Sequence, residues 1–453
     1  MIPKLRFKDD NGNDFPAWNT TVRLEEISAF ITKGATPTTY GFEWQVKGIH
    51  FFRNNCIKNN VFVYGDFSYI SEEANEFLKR SEIRGDDIVI AITGDIGKVG
   101  LVPGKIKKAN INQHLARIRI IKNAIPYFVY SYLCSNEIQQ NYKKIKTGLS
   151  MAQLSLNQIR KTKIPVVSIM EQRKIEEFLM TIDQVIEIKK KTVIAWEERK
   201  KGVMEKLFCQ KIRFKTDEKS EFPEWREKQF GEIISEFKEK TEIENEDTLL
   251  SCAINGIFLN SELFGHQRGQ SNIGYLKIKK GTLVLSTQNL HLGNVNVNMR
   301  FEHGIISPAY KTYNIVGCSV EYMNQWIKWD TTKRFFYNAT TVGASGCRRN
   351  VDWNLLYSQK IDVPCPEEQE KIVECLSALD DVVEKQKETL CAWENLKDGL
   401  LQQAQYSLLL DCSTPTPKHL NIRLHYLYYL LALNLYIPNT PFYHLINPFI
   451  SIE

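Results

Sequence analysis

The sequence predicts a mixed α/β fold built twice: two similar α/β domains separated by two long antiparallel coiled-coil helices and related by a pseudo-two-fold axis. Three observations predict it. The segment RFKDDNGNDFPAW, Arg6 to Trp18, returns as RFKTDEKSEFPEW, Arg213 to Trp225, at a constant offset of 207 with no gap. A second echo runs at an offset of 197: Lys174-Ile175 returns as Lys371-Ile372, Asp183 as Asp380, Glu187 as Glu384, and Ala195-Trp196-Glu197 as Ala392-Trp393-Glu394. Each of these later echoes lies in a stretch with heptad spacing. A repeat of about two hundred residues is far too long for a solenoid, so it means two domains, each followed by its own helix.

In chain order, residues 1–165 form the first domain, 166–210 the first helix, 211–363 the second domain, 364–405 the second helix and 406–453 an extension. Within the first domain, Asp87 to Ile92 and Ala116 to Ile121 have the β-branched content of strands, and the glycine-rich TGDIGKVG from Thr93 to Gly100 reads as a turn between strands. Tyr127 to Tyr142 is expected to be one helix. In the second domain Gly281 to Ser286 stands where Gly85 to Ala91 stands in the first.

The helices are the strongest local signal. Ile175, Leu179, Ile182, Ile186, Lys189, Val193, Trp196, Lys200, Val203 and Leu207 alternate spacings of four and three, a heptad seam. Ile372, Leu376, Leu379, Val383, Gln386, Leu390, Trp393, Lys397, Leu400 and Ala404 repeat it, polar interruptions included. Such seams pack against another helix, and the polar Lys189 and Gln386 are expected to fix the register. Because short links join the end of the first helix to the start of the second through one compact domain, the expected pairing is antiparallel, with the domains at opposite ends.

Composition narrows the function classes. Hydrophobic residues make up 43% of the 453, which excludes general disorder. Ten cysteines occur without a C-x-x-C pair or a Cys/His cluster, which argues against structural zinc, and no run reaches the roughly 18 apolar residues of a membrane helix. The start of the chain has no apolar core of signal-peptide length, so a cytoplasmic protein is expected. Residues 1–165 carry 24 Lys and Arg against 15 Asp and Glu, a net +9, compatible with a polyanion partner. Residues 364–453 carry −6. No catalytic signature is complete: TGDIGKVG lacks the first glycine and the final Ser/Thr of a phosphate loop, having Ile92 and Val99 there. Glu187-Ile188-Lys189 lies inside the seam, and Asn447-Pro448-Phe449 has no cofactor loop to accompany it.

The duplicated RFK…FPxW segment, the helix starts at Pro165 to Ile175 and Pro364 to Ile372, and TGDIGKVG followed by Asn110 to Ile120 together resemble the specificity subunit of type I restriction-modification enzymes. The resemblance covers about residues 4 to 405. It implies two target-recognition domains, binding of double-stranded DNA at a bipartite target, and two methyltransferase subunits docked on the helices, with restriction subunits joining the full complex. It also implies a non-catalytic chain without cofactors of its own, S-adenosylmethionine, ATP and Mg belonging to the partner subunits. On this reading Ile175, Leu179, Ile182, Ile186, Val193, Trp196, Ile372, Leu376, Leu379, Val383, Leu390 and Trp393 form the helix and partner interface.

Base-reading residues cannot be transferred from the resemblance, so candidates rest on chemistry. Asn112, Gln113 and His114 either meet base edges or satisfy a turn. Lys98, Lys105, Lys107 and Lys108 suit phosphates or a solvated face. In the second domain Thr341, Ser345, Arg348 and Arg349 stand in the loop TTVGASGCRRN, and Gln288, Asn289 and His291 form a further set. The rival reading is a coiled-coil scaffold with two protein-binding heads. Residues 406 to 453, with the apolar run Leu424 to Ile437, are left as a packed extension, an interfacial helix or a changed reading frame.

Overall fold

The structure is a computed structural model that describes residues 7–121, 123–146, 153–264, 271–342 and 349–403. Ala404, the last seam position, and the extension 406–453 lie outside the described residues. The chain divides into two compact units. Unit 1 takes residues up to Lys190 and resumes at Glu388, and unit 2 runs from Lys191 to Lys387. Both boundaries fall inside a long helix, Ile169–Phe208 or Pro366–Gln403. Each helix is about 60 Å long at 1.5 Å per residue.

In unit 1 a four-stranded antiparallel sheet has the order Ser28–Lys33, Leu115–Ile120, Ile88–Ala91, Val99–Leu101. Ile88, Val89, Ile90 and Ala91 are all buried, as expected for a β-branched run covered on both faces. A second sheet runs Ser68–Ile70, Ile49–Phe52, Ala109–Ile111, Glu82–Ile83, and its middle pair, Ile49–Phe52 with Ala109–Ile111, is parallel. The glycine-rich stretch is the turn of the hairpin Ile88–Ala91 to Val99–Leu101, with Gly94 and Gly97 in the left-handed region at φ 71° and 84°.

Unit 2 repeats the first sheet in the order Ile234–Phe237, Tyr310–Ile315, Leu283–Ser286, Val295–Val297. Its second sheet is reduced to a hairpin, Leu250–Ala253 with Gly256–Leu259, and an antiparallel pair, Leu276–Lys279 with His303–Ile306. One parallel bridge, Leu249 with Ile305, corresponds to the parallel pair of unit 1.

The two sequence echoes turn out to bind each other within each unit. The Trp18 indole donates to the buried Glu171 carboxylate at 3.1 Å, and Trp225 donates to Glu368 at 2.9 Å. Lys174 meets Asp10 at 2.7 Å, and Lys371 meets Asp217 at 2.8 Å. Gln172 accepts from the Ile125 N–H and donates to the Val167 carbonyl, while Gln369 accepts from the Ser319 N–H and donates to the Pro364 carbonyl. The E-Q-x-K run at each helix start is therefore the clamp that seats the FPxW segment on its helix.

Helix pairing is antiparallel in each unit. In unit 1 Asp183 pairs with Lys397 and Lys190 with Glu394, and in unit 2 Asp380 pairs with Lys200 and Glu197 with Lys387. The second set is the first shifted by 197. Each aspartate is also held by its globular domain: Asp183 accepts from the Tyr127 hydroxyl at 2.5 Å, and Asp380 from the Gln325 amide at 3.2 Å.

Leu179, Ile182, Ile186, Val193, Ile372, Leu376, Leu379 and Val383 are buried, whereas Ile175, Trp196, Leu390 and Trp393 are half-buried. Two expectations are corrected. Lys189 and Gln386 make no ion pair or hydrogen bond among the described residues, whereas Asp183 with Lys397 and Asp380 with Lys200 do pair across the helices. The helix expected over Tyr127 to Tyr142 is two, Pro126–Leu133 and Asn136–Ile145. The break at Cys134-Ser135 is stabilised by the Gln139 amide, which donates to the Leu133 carbonyl at the end of the first helix. Phe178 and Val185, off the seam, are also buried, because the helix packs on its globular domain as well, Phe178 meeting Phe7 at 5.5 Å.

Candidate nucleic-acid interface

In unit 1 the parallel strands Ile49–Phe52 and Ala109–Ile111 end side by side, and the carboxyl ends of parallel strands are a frequent place for ligand-binding loops. Asn112 N–H donates to the Phe52 carbonyl at 3.1 Å, which holds the two exits together. The hairpin turn joins them, since Ile92 N–H donates to the His114 carbonyl at 3.0 Å. A third loop arrives through Gly34, whose N–H donates to the Leu115 carbonyl at 3.0 Å. A Cβ at Gly34 would come within 2.0 Å of the Ile111 oxygen and 2.2 Å of the Asn112 oxygen, so a glycine alone lets this loop lie against the strand end.

These approaches bring Thr36, Thr93, Gln113 and His114 into one chain of polar contacts. The Thr36 hydroxyl donates to Gln113 Oε1, Gln113 Nε2 lies 3.2 Å from His114 Nε2, and His114 Nδ1 lies 2.7 Å from Thr93 Oγ1. The Asn54 amide lies beside Gly94 in the same turn. Gln113 is exposed and His114 half-buried. Asn112 differs from its neighbours: it is buried and its Oδ1 accepts from the His114 N–H at 3.2 Å, which is turn chemistry. Thr36, Asn54 and Thr93 escaped sequence reasoning, and no local pattern marks them, because they reach the cluster from separate loops.

The strand that follows carries two arginines. Arg119 binds the buried Asp87 carboxylate through Nε and Nη2 at 2.7 and 2.6 Å, and this hydrogen bonding raises its pKa above the ordinary value. Arg117 is fully buried, donates to the Glu82 carbonyl and has Phe30 at 4.1 Å; burial, with Arg119 adding, pulls its pKa down to about 10.

The lysine candidates are mostly engaged. Lys98 pairs with Asp95 at 2.7 Å, Lys108 pairs with Glu72, and Lys105 lies 4.8 Å from the Tyr64 ring, while Lys107 is exposed. Arg53, absent from the sequence-based set, lies 5.3 Å from the Trp44 ring and donates to Ser68 at 2.9 Å.

In unit 2 the turn after Leu283–Ser286 presents Gln288 and Asn289 to solvent, and His291 is half-buried in the 3-10 turn Leu290–Leu292. Thr287 donates through both its N–H and its hydroxyl to the Ala309 carbonyl, so this turn too is tied to the loop before the central strand. Thr341 is exposed in the hairpin Thr340–Val342 with Arg349–Val351. Arg349 turns back on that hairpin, donating to the Thr340 hydroxyl at 2.7 Å and its carbonyl at 2.6 Å, with the Tyr337 ring 4.2 Å away. Ser345 and Arg348 lie outside the described residues.

Among the described residues no group of His, Cys, Asp or Glu is arranged to hold a metal ion, and no helix is long and apolar enough to cross a membrane. An exposed amide–imidazole–hydroxyl cluster on a basic scaffold is suited to hydrogen bonding with base edges.

Comparison with known proteins agrees with the class of protein this architecture suggests. Residues 17–195 match the family model for the type I restriction modification DNA specificity domain. The chain is 26% identical over 337 residues, 69% of its length and 76% of the relative's, to the Methanocaldococcus jannaschii protein named as the MjaX type I restriction enzyme specificity subunit. It is 31% identical over 121 residues to the type I restriction enzyme EcoBI specificity subunit of Escherichia coli, 26% of this chain and 25% of that one. Among solved structures, a chain from work on complex assembly and conformational transition of the type I R-M system superposes with a TM-score of 0.53 at 17% identity, covering 85% of this chain and 97% of that chain. Residues 17–195 are thus similar to a type I DNA specificity domain, in agreement with the resemblance to type I specificity subunits seen in the sequence.

Proposed function

We propose that this chain is the DNA-recognition subunit of a type I restriction-modification complex, reading a bipartite duplex target with one half assigned to each unit. The observation that carries this is the doubled clamp, Trp18–Glu171 with Lys174–Asp10 and Trp225–Glu368 with Lys371–Asp217, holding the same sheet order beneath loops that differ in sequence. A fixed frame with exchangeable loops suits a protein whose two halves recognise two different short sequences. The recognition domains are assigned to residues 1–165 and 211–363, and the helices 166–210 and 364–405 dock two methyltransferase subunits, with restriction subunits joining them. Methyl transfer and cleavage, with S-adenosylmethionine, ATP and Mg, belong to those partners, and the complex works in the cytoplasm.

The test is binding of the full chain, alone and co-expressed with a type I methyltransferase subunit, to random-sequence duplexes, followed by sequencing of the retained pool. A two-part motif separated by an unread gap is expected. Retention of protein partners without enrichment of any DNA sequence would favour a scaffold instead.

A further inference from the structure

We infer that Gln113 reads an adenine in the half-site assigned to unit 1, and that Thr36 and the His114–Thr93 pair are positioning residues that hold its amide in place. The inference rests on the DNA-binding reading above and adds a residue and a base to it.

A glutamine amide can pair with adenine through two bonds, its oxygen accepting from N6 and its nitrogen donating to N7. A glutamine side chain free to swing away from the base loses that pairing. Here the side chain is held at both ends. The Thr36 hydroxyl donates to Oε1. On the other side Nε2 donates to His114 Nε2 at 3.2 Å, so that ring nitrogen must be the acceptor. The imidazole proton then sits on Nδ1 and is donated to Thr93 Oγ1 at 2.7 Å. Each end of the amide uses one valence inward and keeps one, a lone pair on Oε1 and a hydrogen on Nε2.

The neighbourhood suits the task. Gln113 is exposed, while the loops beneath it are locked by Gly34 against the Ile111 and Asn112 carbonyls and by Ile92 on the His114 carbonyl. A recognition side chain held by its supporting contacts loses little freedom on binding. Unit 2 has no counterpart, since Ser307-Pro308-Ala309 occupies the matching loop and Thr287 there bonds a backbone carbonyl. The effect should therefore be confined to one half of the target.

The experiment selects the full chain, wild type and variants, against random duplexes and sequences the retained pools. The wild type is expected to enrich a motif with adenine at one position of one half-site. Gln113→Ala should lower preference at that position by about 5- to 150-fold and leave the rest of the motif unchanged. Gln113→Glu should move the preference there from adenine towards cytosine, whose N4 amino group donates to a carboxylate. Thr36→Val should blunt the adenine preference and weaken binding less than Gln113→Ala does, because the amide is then held only through His114. Gln113 is exposed, so its variants should melt with the wild type, and a thermal scan of each checks this. A wild-type motif retained unchanged by Gln113→Ala, or an equal loss at all positions as from a loosened loop, overturns the inference and leaves the DNA reading standing. No motif for the wild type overturns the DNA reading itself.

Discussion

Unit 1 and unit 2 share their clamps and their central sheet and differ in what stands on top. Unit 1 builds a complete second sheet of four strands, whereas unit 2 keeps two antiparallel strand pairs and one parallel bridge. At the loop before the central strand unit 1 has Asn112-Gln113-His114 and unit 2 has Ser307-Pro308-Ala309. The shared contacts are those in which a buried or half-buried charge or indole N–H needs one particular partner, and losing such a partner costs several kcal/mol. Of the differing residues, those such as Gln113 that face solvent can be substituted at a cost of about 0.5 kcal/mol or less. Stability is thus held by a small set of side chains outside the loops, which frees the loops to vary.

The severest way to break the shared part is a charge in the helix seam. Ile186→Asp in unit 1 and Val383→Asp in unit 2 each place a carboxylate at a buried position, 8% and 7% exposed. Each alone is expected to cost roughly 3 kcal/mol or more. The measurement is a thermal melt followed by circular dichroism, together with recovery of co-expressed methyltransferase subunit. Wild-type melting in either variant would show that the seam is not packed in that unit.

Next comes the clamp. Glu368 is fully buried and accepts from Trp225 and from Arg213, whose Nη2 lies 2.7 Å away. Glu368→Ala leaves the half-buried Arg213 guanidinium without its counter-charge, though it still donates to the Phe222 and Pro223 carbonyls, and removes the acceptor of the Trp225 indole, an expected loss of about 3 kcal/mol. Glu171→Ala removes the acceptor of Trp18 and should destabilise unit 1 in the same direction. Limited proteolysis can assign each loss to its own unit. Cutting confined to unit 2 in both variants would break the equivalence of the clamps.

The smallest expected effect sharpens the register. Lys397→Asp should cost about 1 kcal/mol, since Asp183 is partly solvated, and the double variant Asp183→Lys with Lys397→Asp should recover part of it. The Tyr127 hydroxyl, which donates to Asp183, is expected to limit that recovery. A double variant no better than the sum of its singles would mean that this ion pair does not set the helix register.

Several features were legible in the sequence for definite physical reasons. The duplication, the heptads and their antiparallel sense follow from spacing and link length, and the strand Ile88–Ala91 from its β-branched run. The site was legible only in part. Gln113 and His114 stood out as polar residues beside a glycine turn, but Asn112 proved to be a turn acceptor and Arg349 a brace of its own hairpin. Local sequence does not reveal whether an amide or a guanidinium will spend its hydrogen bonds inward, because that depends on which carbonyls the fold brings near.

By itself the sequence determined the repeat, the two long helices and the basic first domain, all properties carried by spacing and composition along one chain. Only the tertiary structure decided that the two echoes grip each other, Glu171 on Trp18 and Glu368 on Trp225, across 153 and 143 residues of chain. It likewise decided that Thr36, Thr93, Gln113 and His114 meet. Hydrogen bonds act over about 3 Å. Residues so far apart along the chain come within that range only after the sheets and helices have packed.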